Sequence, residues 1–162
     1  MKTIYLFFLA FLLNLTTNAQ EFKRFDCELI SSSGNYSVTP NFDTTELKGN
    51  RGIYYFNDKD YGRNLFQNIV KEVFSPQILK TLPFGLLLLI NFNLKGETVN
   101  CRFIIRSKDI NLITDDDLYN LYIRFKGIKL DMTKLKLYED FNNFDIKDAD
   151  YFEMIIGIQK SE

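Results

Sequence analysis

The most regular alternation of apolar and polar positions lies between residues 84 and 106, FGLLLLINFNLKGETVNCRFIIR. Two apolar runs flank a Lys-Gly-Glu turn, in which Gly96 supplies the positive φ angle of a tight turn. Residues 98–106 alternate with a period of two, which is typical of a strand with one buried face. Residues 84–94 begin apolar on both faces, which is typical of a central strand. The pattern therefore predicts a β-hairpin in which 84–94 has a strand on each side.

Two stretches have helical periodicity. Residues 60–74 carry apolar side chains at spacings of three and four, and Asp58 or Asp60 can cap this helix. Ser75 and Pro76 end it and suit the start of another turn.

The second helix follows Thr114, a good N-cap, and runs to about residue 126. Acids occupy its first turn, where the helix dipole favours negative charge, and Gly127 is placed as a C-cap.

The remaining segments are shorter. Alternation predicts strands at 22–31, 52–57 and 151–160, and the first two can form a long-looped hairpin. Residues 31–50 are predicted to be a polar loop. Residues 128–150 are either a short strand or an irregular excursion that ends in a polar loop.

Taken together, these elements predict an α+β fold with an N-terminal hairpin (20–59) and an α-β-β-α-β domain (60–162). The helix after residue 114 can carry the last strand to the free side of 84–94. The expected sheet is mixed, with three strands in the order 2-1-3 and two helices on one face.

This order resembles the C-terminal domain of TonB. The similarity lies in Pro83, the hairpin FGLLLLINFNLKGETVNCRFIIRS, the helix TDDDLYNLYIRFKGI and the final strand, over about residues 60–160. Gly85 and Gly96 stand where the glycines of the family's hairpin motif would stand. The chain differs from that family in its N-terminal hairpin and in an insertion before the last strand.

The resemblance implies a stand-alone secreted relative of the kind common in Bacteroidetes, which engages a partner peptide at its last strand. If 151–160 is an edge strand, its backbone groups can accept an extended segment. The side chains assigned to this interaction edge are Phe152, Met154, Ile156 and Ile158.

The N-terminus carries an export signal. Lys2 precedes an apolar core at residues 4–13, and Thr17 and Ala19 are small residues at the positions that a signal peptidase recognises. Cleavage after Ala19 is expected, which predicts a periplasmic, cell-surface or extracellular protein. The apolar core is shorter than the ~20 residues of a membrane-spanning helix, so no integral span is expected after cleavage.

The mature charge excludes one class of partner. Cleavage removes one lysine and no acid, which leaves 19 basic against 21 acidic residues, or −2. A balance so close to neutral gives no electrostatic basis for binding nucleic acid or an anionic membrane. An envelope protein or peptide is the expected partner.

Two cysteines, Cys27 and Cys101, lie in predicted strands. Export permits a disulfide between them, whereas two buried free thiols are the alternative.

Much catalytic chemistry is absent from the sequence. There is no histidine, which removes histidine-based triads and zinc sites, and no glycine-rich phosphate loop or nucleophile elbow is present. No cofactor, metal site or catalytic residue is therefore predicted. A small hydrolase that uses two carboxylates is the enzymatic alternative, and a structural envelope component is the other.

Three polar features can be explained either by a function or by local structure alone. Residues 115–117 can bind a cation, but the helix dipole explains them, and acids within 140–150 form at best a loose calcium loop. Thr44, in Asp-Thr-Thr, resembles the O-glycan acceptor of secreted Bacteroidetes proteins, although the same residues suit an ordinary turn.

Overall fold

The computed structural model of the chain describes residues 22–52, 54–82, 85–137 and 149–157. The strands are β1 (Phe25–Ile30), β2 (Asn35–Pro40), β3 (Asn50–Gly52), β4 (Tyr54–Phe56), β5 (Leu86–Asn93), β6 (Thr98–Arg106), β7 (Leu135–Leu137) and β8 (Ala149–Gly157). The α-helices are α1 (Lys59–Val73), α2 (Pro76–Thr81) and α3 (Asp115–Lys126), with 3₁₀ turns at Ser107–Leu112 and Met132–Lys134. None of the helices in these ranges is long and apolar enough to cross a membrane.

Six strands form one mixed sheet in the order β1-β2-β6-β5-β8-β3, and β4 pairs separately with β7. Neighbours in the large sheet are antiparallel, except that β3 is parallel to β8. The α+β class is confirmed, but the predicted three-stranded sheet of order 2-1-3 is wrong. β5 does lie between β6 and β8, yet β2 and β1 extend the sheet beyond β6, and β3 extends it beyond β8.

The missing strand is β2, which lies within the predicted polar loop 31–50. β1 and β2 form a tight hairpin across Gly34, whose φ angle is +65°, so the predicted pairing of 22–31 with 52–57 is wrong. Polar residues alternate with Tyr36 and the fully buried Val38, and this short alternation was hidden among turn-forming residues.

The core lies between the helices and one face of the sheet. Every second side chain of β5 is fully buried there, together with residues of β6, α1 and α3; the largest are Phe66, Leu88, Phe92, Phe103, Tyr122 and Phe125. β5 is also mostly buried on its other face, where Leu89 and Asn91 are 5% and 3% exposed. A strand buried on both faces is confirmed.

Helix ends follow the predicted capping. The Asp58 side chain caps α1, Ser75 caps α2 with proline at the first turn, and Thr114 forms a capping box with Asp117 on α3. Gly127 is the C-cap of α3, but its φ angle of −81° is one that any residue can adopt.

The two cysteines are free thiols. Cys27 lies on β1 and Cys101 on β6, with β2 between them, so their Cα atoms are separated by about two strand spacings, roughly 10 Å. A disulfide requires less than about 7 Å. Burial raises the pKa of the Cys101 thiol far above its usual value, which keeps it protonated.

The hairpin turn generates a prediction. Gly96 has a φ angle of +79°, and a Cβ built on it would lie 2.6 Å from the backbone oxygen of Leu130. We expect Gly96→Ala to lower the free energy of unfolding by about 2 kcal/mol or more in urea titrations, because both the backbone angle and the steric contact oppose it.

The matched control is Gly127→Ala, where a Cβ meets nothing closer than 3.6 Å and φ is already helical. This variant should be as stable as the parent chain or slightly more so. Equal losses in the two variants would contradict the assignment of the turn.

Candidate binding site

The outer edge of β8 is covered over only part of its length. β3 pairs with β8 from Ala149 to Phe152, and its last paired residue is Gly52. Among the strands that the structure describes, none pairs with the outer side of residues 153–157. The second half of β8 is therefore an open edge within the described part of the chain.

The register of β5 shows which way the backbone groups of β8 point. The Arg106 N–H donates to the Gly85 carbonyl at 3.1 Å, so odd-numbered residues of β5 face β6 and even-numbered ones face β8. Leu88 is aligned with Ile156 in the β5–β8 ladder. The even-numbered residues of β8 thus bond to β5.

It follows that the odd-numbered residues of β8 direct their N–H and C=O groups away from β5. In the open half these residues are Glu153, Ile155 and Gly157. Alternate residues with outward backbone groups are the arrangement to which another strand can be added.

A groove of about 370 Å³ runs beside this open edge. Its walls are β8, β4 and α1, and its lining comprises Tyr54, Phe56, Gly62, Arg63, Phe66, Gln67 and residues 153–157. We call it the edge groove. Aromatic rings form its floor, and polar side chains of α1 stand at its rim.

The aromatic floor is held by ring contacts. Tyr54 packs on Phe152 with ring centroids 4.5 Å apart, and Phe56 lies edge-on to Tyr61 and Phe66 at 5.8 and 6.0 Å. β4, which pairs with β7, places Tyr54 and Phe56. α1 places Tyr61 and Phe66, and Phe152 belongs to β8.

Of the side chains that the sequence assigned to the interaction edge, those that the structure describes are buried or half-buried. Phe152 and Met154 are 0% and 6% exposed and face the core, and Ile156 is half-buried. Ile158 lies outside the described residues. What β8 offers a partner is its backbone, with Met154 and Ile156 in the wall of the edge groove.

The acidic first turn of α3 is occupied by protein groups. Arg24 forms ion pairs with Asp115 and Asp116, and its guanidinium lies 4.4 Å from the ring centroid of Tyr119. Asp117 belongs to the capping box. Throughout the described ranges no cluster of acids and cysteines is arranged for a metal ion. Most of the candidate calcium loop within 140–150 lies outside those ranges.

A second polar feature is the loop 41–49, which leaves β2 at one side of the sheet and reaches β3 at the other. We call it the crossing loop. Asp43 anchors it to α3 by accepting hydrogen bonds from the Tyr122 hydroxyl and from Lys126 Nζ, the latter at 2.8 Å. The Thr45 N–H and hydroxyl donate to the other carboxylate oxygen at 3.0 and 2.5 Å.

This anchor controls the ionisation of Asp43. Burial opposes the charged form, but the hydrogen bonds from Lys126, Thr45 and Tyr122 outweigh it and hold the pKa of Asp43 far below its usual range. Burial and the neighbouring carboxylate raise the pKa of Tyr122. Asp43 is thus a structural anion that several donors neutralise.

The carboxylate-dependent hydrolase requires an acid with a raised pKa in a concave pocket. Four described carboxyl groups have clearly displaced pKa values, and all four are lowered: Asp43, Glu97, Asp115 and Asp131. None of these four groups is an acid with the raised pKa that the mechanism requires.

Thr44 is exposed on the crossing loop, next to the anchor. Its role as a glycan acceptor stays a prediction.

The sequence predictions missed Tyr54, Phe56 and the α1 rim as parts of one groove, and they missed a pair of asparagines in the central hairpin. Asn91 and Asn100 lie opposite each other on β5 and β6, but a turn centred at Gly96 would have aligned Asn91 with Cys101, and the bulge beyond Asn91 sets the observed register. No local signal links β4 with α1 either, because their contact depends on the tertiary fold.

Comparison with solved structures finds a likeness in fold. The chain is similar to the crystal structure of a DUF5043 family protein from Bacteroides uniformis, with a TM-score of 0.57 over 85% of this chain and 87% of that one. The sequence identity is 12%, so the likeness shows the fold alone. It agrees with a Bacteroidetes-type protein of unknown function and does not show the TonB resemblance. No family model and no curated protein matches the chain.

The Asp43 anchor predicts a pH-dependent stability. We expect Asp43→Asn to lower the free energy of unfolding by about 2 kcal/mol at pH 7, because hydrogen bonds to a charged carboxylate are lost. The folded pKa lies below the unfolded value of about 3.9, so this stabilisation is complete above that value and declines as pH falls towards the folded pKa. The loss of unfolding free energy caused by Asp43→Asn should therefore be about 1 kcal/mol smaller at pH 3 than at pH 5.

Urea unfolding of both chains at pH 7, 5 and 3 measures this difference. The control is Asp26→Asn, which changes an exposed carboxylate on β1. A penalty at Asp43 that stays constant down to pH 3 would contradict the anchor.

Proposed function

We propose that the protein is an exported interaction module that binds an extended peptide segment of an envelope partner. The segment adds to the sheet along residues 153–157 of β8 and places side chains in the edge groove. The observation that carries this proposal is the outward direction of the backbone groups of Glu153, Ile155 and Gly157 beside that groove.

Backbone pairing supplies affinity that is independent of sequence. Ile155 and Gly157, which lie beyond the last residues of β8 that pair with β3, each offer one N–H and one C=O, and strand addition satisfies them with the partner's own groups. β3 already uses this edge at residues 149–152, which supports an edge shaped for strand pairing.

Side chains supply selectivity. Alternate residues of an added strand point towards the helix side, where the edge groove presents Tyr54, Phe56 and Phe66. An apolar or aromatic residue suits this floor. Arg63, which is 54% exposed at the rim and forms a surface ion pair with Asp60 at 3.6 Å, can also face an acidic residue further along the segment.

The two alternatives have less support. The carboxylate hydrolase lacks a described acid with a raised pKa. A structural envelope component would use the open edge to pair with a second copy, which predicts a dimer at micromolar concentration that disappears when the edge is blocked.

Export generates one prediction. We expect the protein recovered from the periplasm or medium of the expressing bacterium to begin at Gln20, because the small residues at 17 and 19 direct the signal peptidase. N-terminal sequencing measures this directly. A mature chain that retains residues 1–19 would contradict the export signal.

Strand addition predicts that binding depends on the backbone of Ile155. Octapeptides selected from a random display library should lose affinity at least about tenfold against Ile155→Pro, because proline removes an outward N–H and its ring stands at the edge. Proline is tolerated in edge strands, and the Ile155 side chain is 66% exposed, so the fold should persist. Fluorescence anisotropy of the selected peptides measures the affinity.

Ile155→Ala is the matched control, since it shortens the same side chain and keeps the N–H. Its affinity should stay within about threefold of the parent protein. Selected peptides that bind the proline variant as tightly as the parent would overturn strand addition. A dimer that only the proline variant abolishes would assign the edge to a second copy instead of a partner.

A further inference from the structure

A second concavity lies between the crossing loop and the face of the sheet that the helices leave uncovered. Its volume is about 510 Å³, within the range of small-molecule sites. We call it the loop cavity. Residues of the crossing loop form its roof, and Asn91, Asn100, Arg102, Tyr151 and Glu153 lie on its sheet side.

The loop cavity contains a buried acceptor without a donor. Asn91 is 3% exposed, and its Oδ1 accepts no hydrogen bond from any residue in the described part of the chain. Leaving such an atom unpaired costs about 1–3 kcal/mol, so a donor from a bound molecule would be stabilising there.

The orientation of this amide follows from its neighbours. The Thr45 backbone carbonyl can only accept, so Asn100 must present Nδ2 to it, at 3.2 Å. Asn100 Oδ1 then accepts from Asn91 Nδ2 at 2.8 Å. Both nitrogens are used, and the crossing loop thereby fixes the Asn91 oxygen as the free acceptor.

Most of the neighbouring charged groups are already paired. Glu153 lies opposite Asn91 on β8 and accepts from Arg51 at 3.1 Å and from Arg102 at 3.4 Å. Asp43 is neutralised by Lys126. The cavity therefore lacks the strong excess of one sign that would select an ionic ligand.

Donors and acceptors alternate around the cavity. Guanidinium groups and threonine hydroxyls stand beside carboxylate and amide oxygens, while Pro40, Leu47 and Tyr151 add apolar surface. A neutral sugar matches this lining, because each hydroxyl both donates and accepts and the C–H faces of the ring are apolar.

We infer that the loop cavity is a binding site for a neutral carbohydrate, with a sugar hydroxyl donating to Asn91 Oδ1. The Glu153–arginine network and the threonines of the crossing loop bond to further hydroxyls. This site shares Glu153 with the edge groove, but the inference does not depend on the peptide proposal.

The test uses a panel of glucose, galactose, mannose, N-acetylglucosamine, maltose and lactose, with glucuronic acid and glucosamine as charged comparators. Saturation-transfer NMR on the mature chain finds binders, and calorimetric titration gives their affinities. We expect at least one neutral sugar to bind with a millimolar or lower Kd. Asn91→Leu should weaken that binding at least about tenfold, because it removes the acceptor while keeping the side-chain size.

Asn120→Leu makes the same substitution on the exposed face of α3 and should leave binding unchanged. Thr44→Trp narrows the cavity from an exposed loop position, and it should reduce binding even if Asn91→Leu fails to fold. Ile155→Pro should bind the sugar as the parent does, which separates this site from the edge.

Three results would overturn the inference. One is that no neutral sugar in the panel binds. Another is that only the charged comparators bind. The third is that Asn91→Leu folds and retains full affinity for the sugar. If Asn91→Leu does not fold, full affinity in Thr44→Trp has the same consequence.

Discussion

The constraint on which this structure depends is that β5 is buried on both faces while helices cover only one. Leu86, Leu88, Ile90 and Phe92 are covered by the helices, but Leu89 and Asn91 also lie out of water on the opposite face. Burial of that second face requires cover from elsewhere, and the crossing loop contributes it at the Asn91 end. Because the loop is anchored through Asp43 to α3, the two sides of the sheet are connected by one cluster of charge-assisted hydrogen bonds.

The same constraint gives β8 its position. The free side of β5 is taken by the last strand, whose even-numbered residues bond inward and whose odd-numbered residues face outward. β3 is only three residues long, so among the residues that the structure describes it covers the start of that outer edge and leaves the rest beside the aromatic rings of β4 and α1. An open edge is a liability in a soluble protein unless it is used or protected. Because this edge adjoins an aromatic groove, we expect it to be used for binding.

The features of this fold that could be predicted are those that depend on residues close in sequence. The central hairpin, the turn at Gly96, the caps at Asp58, Ser75 and Thr114, and the strand pattern of β8 all depend on residues close in sequence, and these predictions hold. β2 was missed because its buried positions number only a few within a turn-rich stretch. The partners of β3 and β4 could not be predicted, since three-residue strands carry almost no periodicity and pair with segments about a hundred residues away.

The candidate sites depend on contacts between residues that are distant in sequence. That the last strand is an edge was a hypothesis suggested by the resemblance, and the direction of its backbone groups required the β5 register. The Asn91–Asn100 pair could not be predicted from the hairpin alone, since a turn centred at Gly96 would align Asn91 with Cys101 and the bulge beyond Asn91 shifts the register. That Asn91 Oδ1 is left without a donor depends on the distant Thr45 carbonyl. A polar residue inside a buried apolar strand is costly unless every one of its groups is satisfied. The unsatisfied oxygen therefore points to a function, because stability alone would favour an apolar side chain at that position.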